Sequence, residues 1–274
     1  MPFADNTASQ PPVRLYWQEQ GSGDPVVLVM GHLFSGDMWY PVIPALAARH
    51  RVVWFDNRGA GRSDATSKAT VGDLASDVRA VMDAAGIERA HVYGVSMGGG
   101  IAIQLAHESP ERVRSLVLGC TALRSPTLQQ PPLRGPLLGK LRYRLPSGVL
   151  RSVWRKSLYG PIAPPEAVER DLDVIAGLRW SPRGVYAQDL AIHGYDMTPD
   201  KVAELTMPAL VLHGTDDLAV PYRHGTELQE TLPSARLVTY EGAGHNFIVD
   251  CTERVNADVL DFFDTLAAEA PSTN

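Results

Sequence analysis

Cysteine is scarce: Cys120 and Cys251 are the only two in 274 residues. That excludes a disulfide framework and reads as two reduced, buried thiols. Long apolar runs are missing too. Stretches such as Val26 to Met30 have the length of a strand and cannot span a bilayer, so stable membrane insertion is not expected. The opening Met-Pro-Phe-Ala-Asp-Asn has no apolar segment of the kind a secretory signal needs, and the expectation is a soluble, cytoplasmic protein. Neither charge dominates: 25 Lys and Arg stand against 31 Asp and Glu, a net charge of −6, with no basic or acidic tail. Without clustered cations a nucleic-acid partner is not expected. No set of His, Cys and carboxylate residues has metal-ligand spacing, so neither a metal nor another cofactor is expected.

Short β-branched runs alternating with helical patterns predict a mostly parallel sheet wrapped by helices, an α/β fold. The runs are Val26–Val29, Val52–Phe55, His91–Tyr93, Leu116–Leu118, Ala209–Leu212 and Ala235–Val238. Several are apolar on both faces, as interior parallel strands must be. Val71, Leu74, Val78 and Val81 share one helical stripe that Gly86 ends, and a last helix carries Val255, Val259, Phe262 and Phe263. The rhythm breaks between about residues 122 and 205, where prolines cluster from Pro126 to Pro165. This segment is expected to be an inserted helical lid on a core formed by residues 1–121 and 206–274. From Arg124 to Lys156 it holds eight basic residues and no acidic one, interleaved with Leu141, Val149, Leu150, Val153, Trp154 and Leu158. A surface for membranes or anionic substrates is one reading. The preferred one is a solvated outer face over a packed inner face.

Gly94-Val95-Ser96-Met97-Gly98 fits G-x-S-x-G. By composition alone roughly one chain in ten of this length would contain the pattern. Context gives it weight, because an apolar strand ends at Val95 and Ile101 to His107 reads as helix. A serine on so tight a strand-to-helix turn needs hydrogen-sized neighbours, which the glycines supply. Serine needs a base to be a nucleophile at neutral pH, and the base needs an orienting acid. Leu212-His213-Gly214-Thr215-Asp216-Asp217 through Pro221 follows one late strand, and Glu241-Gly242-Ala243-Gly244-His245-Asn246-Phe247 follows the next.

With these motifs the chain resembles the α/β-hydrolase superfamily, in the group of small esterases, non-haem haloperoxidase or perhydrolase-like enzymes and 3-oxoadipate enol-lactonases. The resemblance covers Val26 to about Cys120 and Pro208 to the last helix, and leaves out the lid. It implies Ser96 as nucleophile, Asp217 as acid by the pattern G-x-x-D-x-x-x-P, and His245 as base. Some relatives carry the acid after an earlier strand, but Gly119-Cys120-Thr121 has no carboxylate. The oxyanion hole needs two backbone N–H donors. Met97 supplies one, and by position His32 supplies the other, in a loop Met30-Gly31-His32-Leu33 where most relatives have His-Gly-x-Pro; Leu33 is a second candidate.

The implied reaction is two-step acyl transfer to Ser96 from a small-molecule ester or lactone. Peroxide as acyl acceptor, C–C bond hydrolysis, and a non-catalytic ligand receptor on the same fold are the alternatives. Leu33, Phe34, Trp154, Trp180, Tyr186, His193, Val220 and Phe247 are candidate pocket residues, though each would serve equally as core. The segment Asp56 to Ser63 is read as a structural loop held by a paired Asp and Arg, and neither it nor Gly135 to Lys140 has nucleotide-loop spacing. His50, His91, His107 and His224 read as ordinary residues in surface-like settings, and His213 as a packing or hydrogen-bonding residue.

Overall fold

The computed structural model describes residues 2–125 and 147–269. Most of the proline cluster, the basic residues between Arg124 and Arg151, Leu141 and the Gly135–Lys140 segment lie outside them. Eight strands form one sheet in the order β1-β2-β4-β3-β5-β6-β7-β8. They are β1 Phe3–Asn6, β2 Val13–Gln20, β3 Pro25–Val29, β4 Arg51–Phe55, β5 Ala90–Val95, β6 Val113–Gly119, β7 Ala209–Gly214 and β8 Ala235–Tyr240. β1 and β2 pair antiparallel, as do β2 and β4, and every other pair is parallel. The sequence reading missed β1 and β2. Their signal was present, because Val13, Leu15 and Trp17 alternate inward, but Gln and Glu around them gave the segment a polar look.

The strands that are apolar on both faces divide their side chains between two cores. Val27, Val29, Val53, Phe55, Val92, Leu116 and Val211 point to one, and Val26, Leu28, Val52, Trp54, Tyr93, Val117 and Leu210 to the other. The first core is closed by α2 Val71–Ala84 and α3 Met97–Glu108. The second is closed by α1 Ile43–Ala47 and, at the C-terminus, by the inward stripe Val255, Val259, Phe262 and Phe263 of α10 Thr252–Glu269. The α2 helix begins at a reciprocal cap, in which the Thr70 hydroxyl takes the Asp73 N–H while the Asp73 carboxylate takes the Thr70 N–H.

Between β6 and β7 come α4 Ser147–Leu158, α5 Pro165–Gly177, α6 Pro182–His193 and α7 Pro199–Ala203, followed later by α8 Arg223–Thr231 and α9 Phe247–Asp250. On α4, Trp154 and Leu158 turn inward, while Arg151 pairs with Glu169 and Asp173 of α5 and Arg155 pairs with Glu169. Arg151 and Arg155 therefore form an outer face of α4 that is neutralised by the next helix. Among the described residues no helix is long and apolar enough to cross a membrane.

The loop after β4 is tied down by two ion pairs. Buried Asp56 accepts the backbone N–H of Gly36 and Arg62 and pairs with the Arg62 guanidinium at 2.9 Å. Arg58 makes a two-pronged pair with Asp77 of α2, with side-chain exposures of 3% and 0%, and Asn6 of β1 donates to the same carboxylate. Removing one partner strands the other charge in the core. Asp77→Ala is expected to lower unfolding free energy by about 3–5 kcal/mol, measured by chemical denaturation.

His91 and His224 are buried, against the surface-like settings expected of them. His91 lies on β5 and is buried, with Nδ1 at 2.7 Å from the Ser115 hydroxyl; burial, outweighing all else, lowers its imidazole to about 4. His224 on α8 is buried as well. His224 lies in an amphipathic helix, and His91 near the start of a fully buried strand that follows the polar pair Glu88 and Arg89.

Candidate active site

The residues singled out in the sequence gather at one edge of the sheet, where parallel strands end and ligands of open α/β sheets bind. Ser96 follows β5, His32 follows β3, Asp217 follows β7 and His245 follows β8. Ser96 has φ 55° and ψ −122°, a left-handed backbone that a non-glycine residue adopts only when its surroundings over-determine it. Here its N–H donates to the Gly119 carbonyl at 2.8 Å and its carbonyl accepts the Thr121 hydroxyl at 2.7 Å. A Cβ on Gly98 would strike the carbonyl of Val29, and one on Gly94 would strike the carbonyl of Gly98. The two glycines let strand, turn and helix close on one another.

His245 Nδ1 lies 2.8 Å from Asp217 Oδ2. The other carboxylate oxygen, Oδ1, accepts the N–H groups of Ala219 and Val220, each at 2.8 Å. Burial alone would raise this carboxyl. The His245 ring, hydrogen bonds from His213 and His245, and the Val220 N–H outweigh it and hold the group well below the ordinary carboxylate range. Asp217 is 5% exposed, whereas its neighbour Asp216 faces solvent and is met by the Thr215 hydroxyl. His213 donates from Nε2 to the Val220 carbonyl at 2.8 Å and supports the same turn.

Folding also brings together a trio that sequence spacing did not reveal, with donor atoms of Cys120, His213 and Asp217 within 4.8 Å of one another. Burial, and then the Asp217 charge, push the Cys120 thiol well up. A protonated thiol there can donate a hydrogen bond to the Asp217 carboxylate.

The loop carrying His245 is fastened to the helices between β6 and β7. Asn246 N–H donates to the Leu158 carbonyl at 2.6 Å, and its side chain donates to buried Asp171, which also accepts the Tyr159 hydroxyl. Asp250 accepts the N–H groups of Gly160 and Gly244 through one oxygen. Its burial outweighs these bonds and pushes the carboxyl up to about 6.

Ser96, Met97, His32 and His245 all line one cavity of about 290 Å³. Leu33, Phe34, Trp154, Val220 and Phe247 line it too. Tyr186, Trp180 and His193 are not among its lining residues, which corrects that reading. Tyr186 is 40% exposed on the outer side of α6. Trp180 pairs its backbone with Ala60 and sets its ring beside Trp154, 6.3 Å between centroids. His193 ends α6, and its neighbour Ile192 takes the inward position. Met30, Met38, Thr121, Arg124, Ile192 and Tyr195 line the cavity without having been anticipated. Arg124 was legible only as the first of the basic run.

Of the two candidate oxyanion donors, Leu33 N–H is already engaged. It donates to the side-chain oxygen of Gln188 at 2.9 Å, while His32 stays on the cavity wall.

An apolar cavity at the strand ends, holding a serine on a strained turn and a carboxylate-bound histidine, defines the hydrolase class on this fold. The chain belongs to the α/β-hydrolase fold family, whose model matches residues 24–251. It is 31% identical over 259 residues to RutD of Azorhizobium caulinodans, a candidate carbamate hydrolase, covering 90% of this chain and 94% of that one. It is also 31% identical over 265 residues to a 2-hydroxy-6-oxo-6-phenylhexa-2,4-dienoate hydrolase of Comamonas testosteroni, covering 90% of each. Among solved structures, a malate-bound thermophilic esterase of Thermogutta terrifontis superposes with a TM-score of 0.85 at 25% identity, covering 96% of this chain and 98% of that one.

Proposed function

We propose that the chain is a serine hydrolase that cleaves a carboxylic ester or lactone through an acyl-enzyme on Ser96, with His245 as base and Asp217 as the acid that orients it. The observation carrying this reading is the Asp217–His245 pair, buried on the acid side and open to the cavity of Ser96 on the other. With Nδ1–H held by Asp217, the imidazole keeps Nε2 unprotonated and free to take the Ser96 proton. Ser96 Oγ attacks the carbonyl carbon, and the electron pair moves to the carbonyl oxygen. His32 and Met97 N–H would meet that oxygen, each contributing about 3 kcal/mol to the barrier reduction. The imidazolium then returns its proton to the leaving alkoxide, and water enters by the reverse steps to free the acid.

In this reading the described residues between β6 and β7 that line the cavity, among them Trp154, Leu158, Ile192 and Tyr195, cover it and set the substrate. Phe34, Trp154, Leu158 and Phe247 form an apolar wall for an acyl or alcohol group of moderate size. Arg124 brings a cation to the same cavity. Its ion pair with Glu227 is long at 3.4 Å, and its side chain is 43% exposed, so it can turn to a substrate carboxylate. Arg124→Gln is therefore expected to raise KM about tenfold for an ester bearing a carboxylate while leaving a neutral ester within twofold, read from parallel Michaelis curves.

The reading as a whole is tested by turnover of p-nitrophenyl acetate together with mass-spectrometric mapping of a fluorophosphonate adduct. Multiple turnovers and a single adduct on Ser96 are expected. A folded protein that acylates once without cycling would be a receptor, and one that takes no adduct would not be a serine hydrolase.

A further inference from the structure

Helix α6 reaches across to the loop after β3 with two consecutive side chains. Gln188 is fully buried; its Oε1 accepts the Leu33 N–H and its Nε2 donates to the Arg58 carbonyl, both at 2.9 Å. Asp189 stands 3.0 Å from Nε2 of the His32 ring. Leu33 has φ 74°, a left-handed backbone that costs a branched side chain of order 1–3 kcal/mol and persists only where the surroundings impose it. The loop has leucine at this point, so no proline ring stiffens it. Asn57 also anchors it, its side-chain amide donating to the Met30 carbonyl at 2.7 Å. The helix comes this close because Gly184 lies directly on Gly59, where a Cβ on either would strike the other's backbone.

A primary amide suits this position because one side chain must accept from one segment and donate to another. A carboxylate could not donate, and an alkyl chain could do neither. It is also neutral beside the place where negative charge would develop.

We propose that Gln188 is a positioning residue for the oxyanion hole, holding the strained Leu33 peptide so that His32 N–H is left as the donor to the developing charge. This rests on the acyl-enzyme reading above. By occupying Leu33 N–H it also removes the competing donor, so that a single loop geometry is presented to the substrate. The same two hydrogen bonds connect the cap segment to the hole, because Gln188 belongs to α6 and Leu33 and Arg58 belong to the core.

Two variants test it. Gln188→Met keeps the volume and removes both bonds. It is expected to lower kcat for a p-nitrophenyl ester by about 10- to 100-fold with KM within twofold, as a displaced oxyanion donor would. Affinity for a trifluoromethyl ketone, whose adduct places an oxyanion in the same hole, should fall by the same factor. Gln188→Glu keeps the shape and makes the effect titratable. Its deficit against wild type should deepen as pH rises and the side chain ionises, and shrink toward acid, where a protonated carboxyl both accepts and donates as the amide does. That variant also keeps the test decisive if Gln188→Met does not fold. An unchanged kcat, or a lower melting temperature with kcat and ketone affinity intact, would overturn the assignment. If wild-type protein turns over ester and labels at Ser96 while these variants are unaffected, only the Gln188 inference falls. If wild type does neither, the acyl-enzyme reading falls and this inference with it.

Discussion

Replacing Ser96 by alanine is expected to lower kcat on a p-nitrophenyl ester by a factor on the order of 10⁶ and to abolish fluorophosphonate labelling. The size follows from the chemistry. Without Oγ there is no covalent intermediate, and what remains is binding and the oxyanion donors acting on attack by water. The variant should stay folded, because the backbone bonds that hold the turn, from Ser96 N–H to Gly119 and from Thr121 to the Ser96 carbonyl, do not involve Oγ. Alanine pays a strain at φ 55° similar to that of serine. His245→Ala should fall nearly as far, and the double variant little further, since base and nucleophile act as one unit. Additive losses in the double variant, or residual labelling at a different residue, would remove Ser96 from the mechanism.

Asp217→Asn is expected to cost about 10⁴ in kcat, with Asp216→Asn within about threefold. The reason lies in the two N–H groups of Ala219 and Val220, which both point at Asp217 Oδ1. In the asparagine variant they hold the amide oxygen on their side and turn the NH₂ toward His245. The imidazole must then accept at Nδ1 and carry its proton on Nε2, where it cannot take the proton of Ser96. Asp216 is exposed and serves only Thr215, so its amide changes nothing at the ring. Because Asp217 is held below the ordinary carboxylate range, it stays ionised above about pH 4 and contributes nothing to the acid limb of the rate profile. A larger loss at Asp216, or an acid limb that vanishes in Asp217→Asn while kcat at neutral pH persists, would reassign the acid.

Local chemistry made much of this visible beforehand. The two-sided apolar runs of β3 to β7 announce interior strands because each face must meet a core, and Gly94 and Gly98 announce a tight turn because only hydrogen fits against the carbonyls of Gly98 and Val29. The choice of Asp217 over Asp216 came from a spacing pattern. Its physical basis is visible only in the fold, which buries one carboxylate under the His245 loop and leaves the next in water.

The pocket was legible only in part. Trp154 and Tyr186 look alike as aromatic residues of the helices between β6 and β7, yet one is buried against Phe34 and the other is 40% exposed, because the rotation of a short helix about its own axis is set by what it packs on. Gln188 left no signal at all, being one polar residue in an amphipathic helix until Leu33, 155 positions away, is brought against it.

The sequence by itself determined the parallel strands of the sheet, the turn at Ser96 and the order of Ser96, Asp217 and His245 after strand ends, since those depend on neighbours along the chain. Only the tertiary structure decided which N–H is spent on Gln188, which side chains wall the cavity and which aspartate meets the imidazole. Those depend on directions in space between segments that share no local pattern.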